Sequence, residues 1–163
     1  APGVLVRRTE PVRVSMSAVV GPRGSLVVDA LGDPARAREA RTELEALTRL
    51  PVVGLVLTHA HDDHSFGAPA FADVPLWAHA GLRAHLEAVE RPQLGALGSG
   101  ADPCVEPDSD LAGWAAGLAG LLARLGEADL VVPGHGEVVR KDFVAALAAR
   151  IALKVPRDEA PAP

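Results

Sequence analysis

The sequence predicts an α/β domain, and three observations lead to that class. Short apolar segments of strand length, such as residues 26–28 and 52–57, recur along the chain. Two longer segments, 33–50 and 108–125, carry leucines at the three- and four-residue spacing of an amphipathic helix. Strand-length and helical segments follow one another, which is typical of a sheet flanked by helices. We therefore expect a single domain over residues 1–155 and a disordered Pro- and Ala-rich tail at 156–163.

Composition narrows the class further. The chain has 163 residues, of which 48% are hydrophobic and 23% are charged, so it can bury a core. Its net charge of -5 argues against a nucleic-acid partner. No apolar run reaches the roughly 18 residues that a membrane helix needs, so no membrane partner is expected. Cys104 is the only cysteine, which excludes an intrachain disulfide, fits a reducing compartment and predicts a cytoplasmic location.

The elements can be predicted in order from local signals. Strands are expected at 4–6, 12–20 and 25–29, with a turn at 21–24. Asp33 suits the N-cap of the next helix and Pro34 its first position, while Pro51 ends it. The apolar run 52–57 predicts a strand buried on both faces. After residue 64, we expect a short helix at 66–71, a strand at 75–78, a helix at 81–90 and an irregular segment at 91–110. The next helix is expected to be capped by Asp108 or Ser109 and to stop at Gly126. A strand at 130–132 and a helix at 141–153 follow.

The densest cluster of metal-ligating side chains follows the strand 52–57. Residues 58–64 read Thr-His-Ala-His-Asp-Asp-His and contain three of the six histidines. Histidines two residues apart project to the same side if the chain stays extended. Neutral imidazole is the commonest zinc ligand, and a carboxylate adds an oxygen donor. The pattern predicts a metal-binding loop; the alternative is that Asp62 or Asp63 only caps the next helix and that the histidines lie on the surface.

Three segments resemble the metallo-β-lactamase-fold hydrolases. The pattern His59-x-His61-x-Asp63-His64 resembles the metal-binding signature of that superfamily, the sequence Val-Val-Pro-Gly-His-Gly at 131–136 resembles its late histidine loop, and Asp29 resembles its early aspartate. The resemblance covers roughly residues 12–90 and 108–153. It implies an αββα sandwich of mixed sheets flanked by helices. The stretch between the two matching parts is shorter than the family's second sheet needs, so a shortened second half is expected.

The resemblance also implies a set of ligands. His59 and His61 would serve a first metal ion, and Asp63, His64 and His135 a second. Asp63 would also orient or deprotonate the catalytic water. Asp29 would not bind the metal ion itself but would contact the residues that do. The family's third histidine for the first ion and its bridging Asp or Cys are not evident in this chain. The candidate substitutes are Asp102, Cys104 and His79.

The expected activity is hydrolysis of a small-molecule ester, thioester, amide or lactam, or phosphoester by one or two zinc ions. Iron or manganese are alternative metals, because histidine and carboxylate donors suit them as well, and an iron redox enzyme is a further alternative. The incomplete first site favours another interpretation, a catalytically weak or inactive metal-binding relative. A shortened sheet leaves an open edge and apolar surface, so a homodimer is expected.

Overall fold

A computed structural model describes residues 3–11, 13–87 and 110–155. The chain divides into two compact units. The first unit comprises residues 1–101 together with the short segment 134–136, and the second comprises residues 102–133 and 137–163. The predicted irregular segment and the predicted disordered tail lie largely or wholly outside the described residues. The single-domain assignment stays a prediction.

The first unit is built on a five-stranded sheet whose spatial order follows the chain. The first three strands are antiparallel, whereas the third, fourth and fifth are mutually parallel. Parallel neighbours end at the same edge of a sheet, so Asp29 and Thr58, which follow the third and fourth strands, meet there. The strands are β1 (Gly3–Thr9), β2 (Val14–Val20), β3 (Ser25–Val28), β4 (Val52–Leu57) and β5 (Leu76–Ala78).

The helices of the first unit are α1 (Pro34–Thr48), α2 (Asp62–Ser65) and α3 (Leu82–His85), with a 3-10 helix at Ala68–Phe71. The N-cap prediction is confirmed, because the Asp33 carboxylate accepts hydrogen bonds from the backbone N–H groups of Ala35 and Arg36 at 2.6 and 3.0 Å. The short helix predicted at 66–71 is present as the 3-10 helix at Ala68–Phe71. A separate helix begins at Asp62, inside the histidine motif.

The start of α2 also bears on the alternative interpretation of the motif. His61 occupies the N-cap position, and no side chain caps the helix with a hydrogen bond. Asp62 and Asp63 lie in its first turn instead. Neither carboxylate is therefore explained by capping.

The core lies on the face of the sheet that packs against α1. Ala37 and Ala40 are both buried, and their small side chains let the helix approach the sheet closely. The core is aliphatic apart from one phenylalanine, in keeping with the 3% aromatic content. Its largest contributors are Met16, Val27, Leu31, Leu44, Leu55, Leu57 and Phe71.

Arg41 links α1 to the segment around the 3-10 helix. Its guanidinium donates to the backbone carbonyl of Ala70 at 3.0 Å and to the Asp73 carboxylate at 2.7 Å, and it lies 5.6 Å from the centre of the Phe71 ring. The hydrogen bond from Arg41 lowers the pKa of Asp73 to about 2. The Arg41 side chain thus makes a bidentate ion pair with Asp73, a hydrogen bond to a backbone carbonyl and a packing contact with the Phe71 ring.

Replacing Arg41 with alanine is expected to lower the free energy of unfolding by about 1–2 kcal/mol, because the hydrogen bond to the Ala70 carbonyl and the bidentate ion pair are lost together. Arg38→Ala is the matched control, since it makes the same change at an exposed position of α1. Because the pKa of Asp73 is depressed, its contribution is present above its ordinary value of 3.8 and is lost as the pH falls towards about 2. Urea unfolding of both variants measures the difference, and equal midpoints would contradict it.

The second unit contains α4 (Leu111–Leu122) and α5 (Lys141–Lys154), which pack against each other. The N-cap of α4 is Asp110, whose carboxylate accepts a hydrogen bond from the Gly113 N–H at 2.8 Å. The predicted caps Asp108 and Ser109 lie outside the described residues. The predicted strand at 130–132 is reduced to an isolated bridge between Val131 and Val139. None of the helices in the described part of the chain has the length and apolar character needed to span a bilayer.

Candidate metal centre

Several metal-ligating side chains of the first unit lie where β3 and β4 end. Asp29 directly follows β3, and His59 comes two residues after β4. Asp63 and His64 lie in α2, which immediately follows. The parallel pairing of β3 with β4 brings the two strand ends together. The site is therefore assembled on the carboxyl edge of the sheet.

His135 reaches this edge on the segment 134–136, which is attached to β2. Val14 and His135 form an isolated antiparallel bridge, and the Ser15 N–H donates to the Gly134 carbonyl at 2.7 Å. Gly134 is required here, because a Cβ at that position would lie 2.9 Å from Cε1 of the fully buried His64 ring. Gly136 has a φ of 86°, a conformation that glycine adopts without strain.

Asp63, His64 and His135 form the first group of candidate ligands. One ligand atom from each can be chosen so that all three lie within 4.8 Å of one another. The Nε2 atoms of His64 and His135 are 3.1 Å apart, and the Asp63 carboxylate lies 3.1 Å from His135 Nε2. These are the three residues that the resemblance implied for the second metal ion.

Asp29 determines the orientation of His64. Burial alone would raise the pKa of Asp29, but hydrogen bonds from His64 and Thr58 outweigh it and leave the pKa below its ordinary value. The ionised carboxylate only accepts hydrogen bonds, so the proton of the 2.8 Å contact belongs to His64 Nδ1. The opposite nitrogen, Nε2, then presents its lone pair towards Asp63 and His135.

His59 belongs to a second group, with Asp29 and His64. The Thr58 hydroxyl donates its proton to the Asp29 carboxylate at 2.9 Å and lies 2.9 Å from His59 Nδ1. Because a hydroxyl has only one proton, the second contact requires that His59 Nδ1 carries a proton and donates it to the hydroxyl oxygen. Burial, reinforced by His64 and His61, lowers the pKa of His59 to about 4. His59 is therefore neutral at pH 7, which is the form that binds metals.

His61 lies beside His59, with the two ring centres 4.6 Å apart. Within the part of the chain that the structure describes, it belongs to neither group of candidate ligands. The predicted pairing of His59 with His61 on one ion stays a prediction. His79 is exposed, accepts a hydrogen bond from the Gly81 N–H at 3.1 Å and lies in neither group. Asp102 and Cys104 lie outside the described residues.

Sequence reasoning missed the role of Thr58. Its backbone N–H and its hydroxyl both bond to Asp29, and the hydroxyl also contacts His59. Its position directly before His59 was the only local signal.

A cleft of about 360 Å³ was also not evident from the sequence. It reaches Asp63 and is lined by Thr9, Glu10, Pro11, Val14, Leu31, Gly32, Asp33, Arg36, Asp62 and Asp63.

Fold and site together define an α/β protein with a histidine- and carboxylate-rich metal-type site at a sheet edge. The chain belongs to the metallo-β-lactamase superfamily, whose family model matches residues 9–139. No curated protein matches the chain significantly. Because members of the superfamily are mostly hydrolases, membership and the two ligand groups support a metal-dependent hydrolase in general and divalent metal binding.

Solved structures share the fold at low sequence identity. The metallo-β-lactamase FIM-1 from Pseudomonas aeruginosa, in a mono-zinc form, is 18% identical with a TM-score of 0.70, over 94% of this chain and 91% of that one. Metallo-β-lactamases from Erythrobacter litoralis and Hirschia baltica are 13% and 15% identical, with TM-scores of 0.74 and 0.67. Their alignments cover 93% and 91% of this chain, and 92% and 91% of theirs. The predicted fold class is confirmed, and the length of 163 residues fits its shortened form.

Proposed function

We propose that the protein is a zinc-dependent hydrolase of a small-molecule ester, thioester, amide or lactam, or phosphoester, with one or two ions per chain and iron or manganese as alternative metals. The observation that carries this proposal is the convergence of Asp63, His64 and His135 at the sheet edge. A cytoplasmic location is part of the proposal and is supported by the single cysteine.

The donor set fits a zinc-type ion. Two imidazole nitrogens and one carboxylate oxygen are the ligand types found in catalytic zinc sites. His64 donates its other ring N–H to a buried carboxylate, Asp29, which is the usual outer support of a metal-binding histidine. That support orients the ring and raises the basicity of Nε2. His64 and His135 would hold one ion together with Asp63, and His59 and His61 would serve the other where a second ion is bound.

The chain's own residues also suit hydrolysis. A bound divalent ion supplies Lewis-acid chemistry, lowering the pKa of water towards about 7 and polarising a carbonyl or phosphoryl oxygen. Asp63 lies at the boundary between the ligand group and the cleft, so its carboxylate can orient the attacking water or accept its proton. Pro11 is exposed in the same cleft and offers apolar contact to a substrate.

A catalytically weak or inactive metal-binding relative is the second candidate. It is favoured by His61, which joins neither ligand group among the described residues. A site with too few ligands for the first ion leaves a single ion beside Asp63, His64 and His135. One ion per chain without turnover would support this candidate, whereas two ions with turnover would support the enzyme.

Metal analysis of zinc-equilibrated protein, combined with a hydrolase panel before and after chelation, tests the proposal. His135→Ala is expected to weaken zinc binding at least about tenfold and to remove hydrolysis, because one of the three converging donors is lost. His61→Ala should lower occupancy if His61 serves a first ion. His79→Ala is the matched control, since this exposed histidine lies in neither group.

Two outcomes would count against the proposal, and a third would change the identity of the metal. Protein that binds no metal and shows no chelator-sensitive turnover would contradict it outright. Equal zinc affinity in the His135→Ala and His79→Ala variants would contradict the ligand assignment. An absorption spectrum typical of iron in the isolated protein would favour the alternative metal.

A further inference from the structure

The buried Asp29 carboxylate binds two different parts of the histidine motif. Its Oδ1 atom accepts a hydrogen bond from the Thr58 N–H at 2.9 Å, and the Thr58 hydroxyl lies 2.9 Å from both carboxylate oxygens. Its Oδ2 atom accepts a hydrogen bond from His64 Nδ1–H at 2.8 Å. Two contacts at each oxygen occupy the roughly four lone-pair positions of an ionised carboxylate. Asp29 is therefore a support for its neighbours rather than a metal ligand.

The Thr58 hydroxyl links Asp29 to a second histidine. Its single proton points to the carboxylate, which can only accept hydrogen bonds. The hydroxyl oxygen also lies 2.9 Å from His59 Nδ1 and must act as the acceptor in that contact. A neutral imidazole carries one proton, so a proton held on Nδ1 leaves the lone pair of the ring on Nε2. His59 Nε2 is thus kept in the form that binds a metal ion.

The neighbouring rings restrict the position of His59 but not the position of its proton. The His59 ring centre lies 4.6 Å from that of His61 and 4.3 Å from that of His64. Such ring contacts do not distinguish one nitrogen of the His59 ring from the other. The hydrogen bond to the Thr58 hydroxyl makes that distinction. The choice of the metal-binding nitrogen therefore depends on this hydroxyl.

We propose that Thr58 is a positioning residue that transmits to His59 the orientation set by Asp29. The inference rests on the proposed function, in which His64 serves one metal ion and His59 the other. Asp29 then orients one imidazole of each ion, His64 directly and His59 through the Thr58 hydroxyl. One buried carboxylate supports both metal positions, and the hydroxyl is needed at only one of them.

Thr58 is held at two points, which makes the hydroxyl removable without loss of the backbone geometry. It directly follows β4, and its N–H bond to Asp29 ties the end of β4 to the end of β3. Valine has nearly the shape of threonine, so Thr58→Val keeps this backbone bond and the local packing. The variant lacks only the hydroxyl that connects Asp29 with His59.

Thr58→Val is expected to weaken the ion at His59 about tenfold or more, the usual effect of losing the outer partner of a metal-binding histidine. The ion at His64 should be unaffected, because the bond from His64 to Asp29 does not pass through Thr58. A zinc titration followed by the ring-nitrogen chemical shifts of both histidines reports each ion separately. In metal-free protein at neutral pH, His59 should change from Nδ1–H to a mixture of tautomers, whereas His64 should keep Nδ1–H.

Two further variants separate positioning from a general structural effect. Thr58→Ser retains the hydroxyl and should restore both the zinc affinity and the tautomer of His59. Thr42→Val is the matched control, since it makes the same substitution at an exposed position of α1, where the hydroxyl donates to the Arg38 carbonyl. It should leave both histidines and both ions unchanged.

The tautomer of His59 in the native, metal-free chain tests Thr58 without any variant and without bound zinc. A native proton on Nε2 would overturn the inference, as would a Thr58→Val chain that keeps the proton on Nδ1. Equal weakening of both ions in Thr58→Val, or a His59 signal that Thr58→Ser does not restore, would also overturn it. A native chain that binds no zinc but shows the expected tautomers would refute the proposed function alone and support the position of Thr58.

Discussion

Gly67→Ala is expected to unfold the protein or to lower its free energy of unfolding by about 3 kcal/mol or more. A Cβ at this position would lie 1.8 Å from the backbone oxygen of Ala30 and 2.8 Å from the Cβ of Ala37. Neither neighbour can withdraw, because both residues are completely buried and the closest atom belongs to the backbone. The strain must therefore move the segment after α2 away from the end of β3.

The same contact supports the metal centre. The Gly67 N–H donates to the Leu31 carbonyl at 2.7 Å, and the Ala30 N–H donates to the His64 carbonyl at 2.7 Å. These two bonds join the turn after Asp29 to the segment that carries His64. A forced separation should therefore lower both stability and zinc affinity.

Gly117→Ala is the control for this prediction. Gly117 lies within α4, and a Cβ there would meet no atom within 4 Å. Alanine is favoured over glycine in a helix interior by up to about 1 kcal/mol, so this variant should be slightly more stable than the native chain. Urea unfolding followed by circular dichroism compares the two. Similar stability of Gly67→Ala and the native chain would contradict the close packing around Gly67.

Asp29→Asn is expected to weaken zinc binding by about 10- to 100-fold, the usual consequence of losing the outer partner of a metal-binding histidine. The substitution keeps the shape of the side chain but replaces one acceptor oxygen with an NH2 donor. If the amide oxygen accepts from the Thr58 N–H, the NH2 group faces His64 Nδ1. His64 must then move its proton to Nε2, and the lone pair that points at the site is lost.

Two measurements separate this effect from simple destabilisation. Competition with a chromophoric chelator, well below the unfolding temperature, reports zinc affinity. The ring-nitrogen chemical shifts of His64 in metal-free protein report its tautomer, which should change from Nδ1–H to Nε2–H. A stable variant that retains both native affinity and the native tautomer would refute the role of Asp29.

Asp73→Asn is the charge-matched control for Asp29→Asn. Asp73 pairs with Arg41 and is exposed, so its loss removes the same charge without touching the histidines. It should lower stability slightly and leave zinc affinity unchanged. A comparable loss of affinity in both variants would indicate a general effect of net charge.

Local signals were sufficient for several elements of the fold. The Asp33 cap, the Pro34 start of α1 and the apolar run of β4 were all predicted, because each depends on residues adjacent in sequence. The prediction failed at α2, whose four residues are too few to produce a helical period. It also failed at 130–132, where an apolar run forms only one bridge, because a strand requires a partner that sequence does not reveal.

The metal centre shows the same division between local and tertiary information. The sequence by itself determined the donor types, the cluster after β4 and, through resemblance, the contribution of His135. Only the tertiary structure decided that His64 lies between Asp29 on one side and Asp63 and His135 on the other. The reason is physical: parallel pairing of β3 with β4 and the bridge of His135 to β2 are long-range contacts. Ring orientation and proton position follow from those contacts, and no spacing in the chain specifies them.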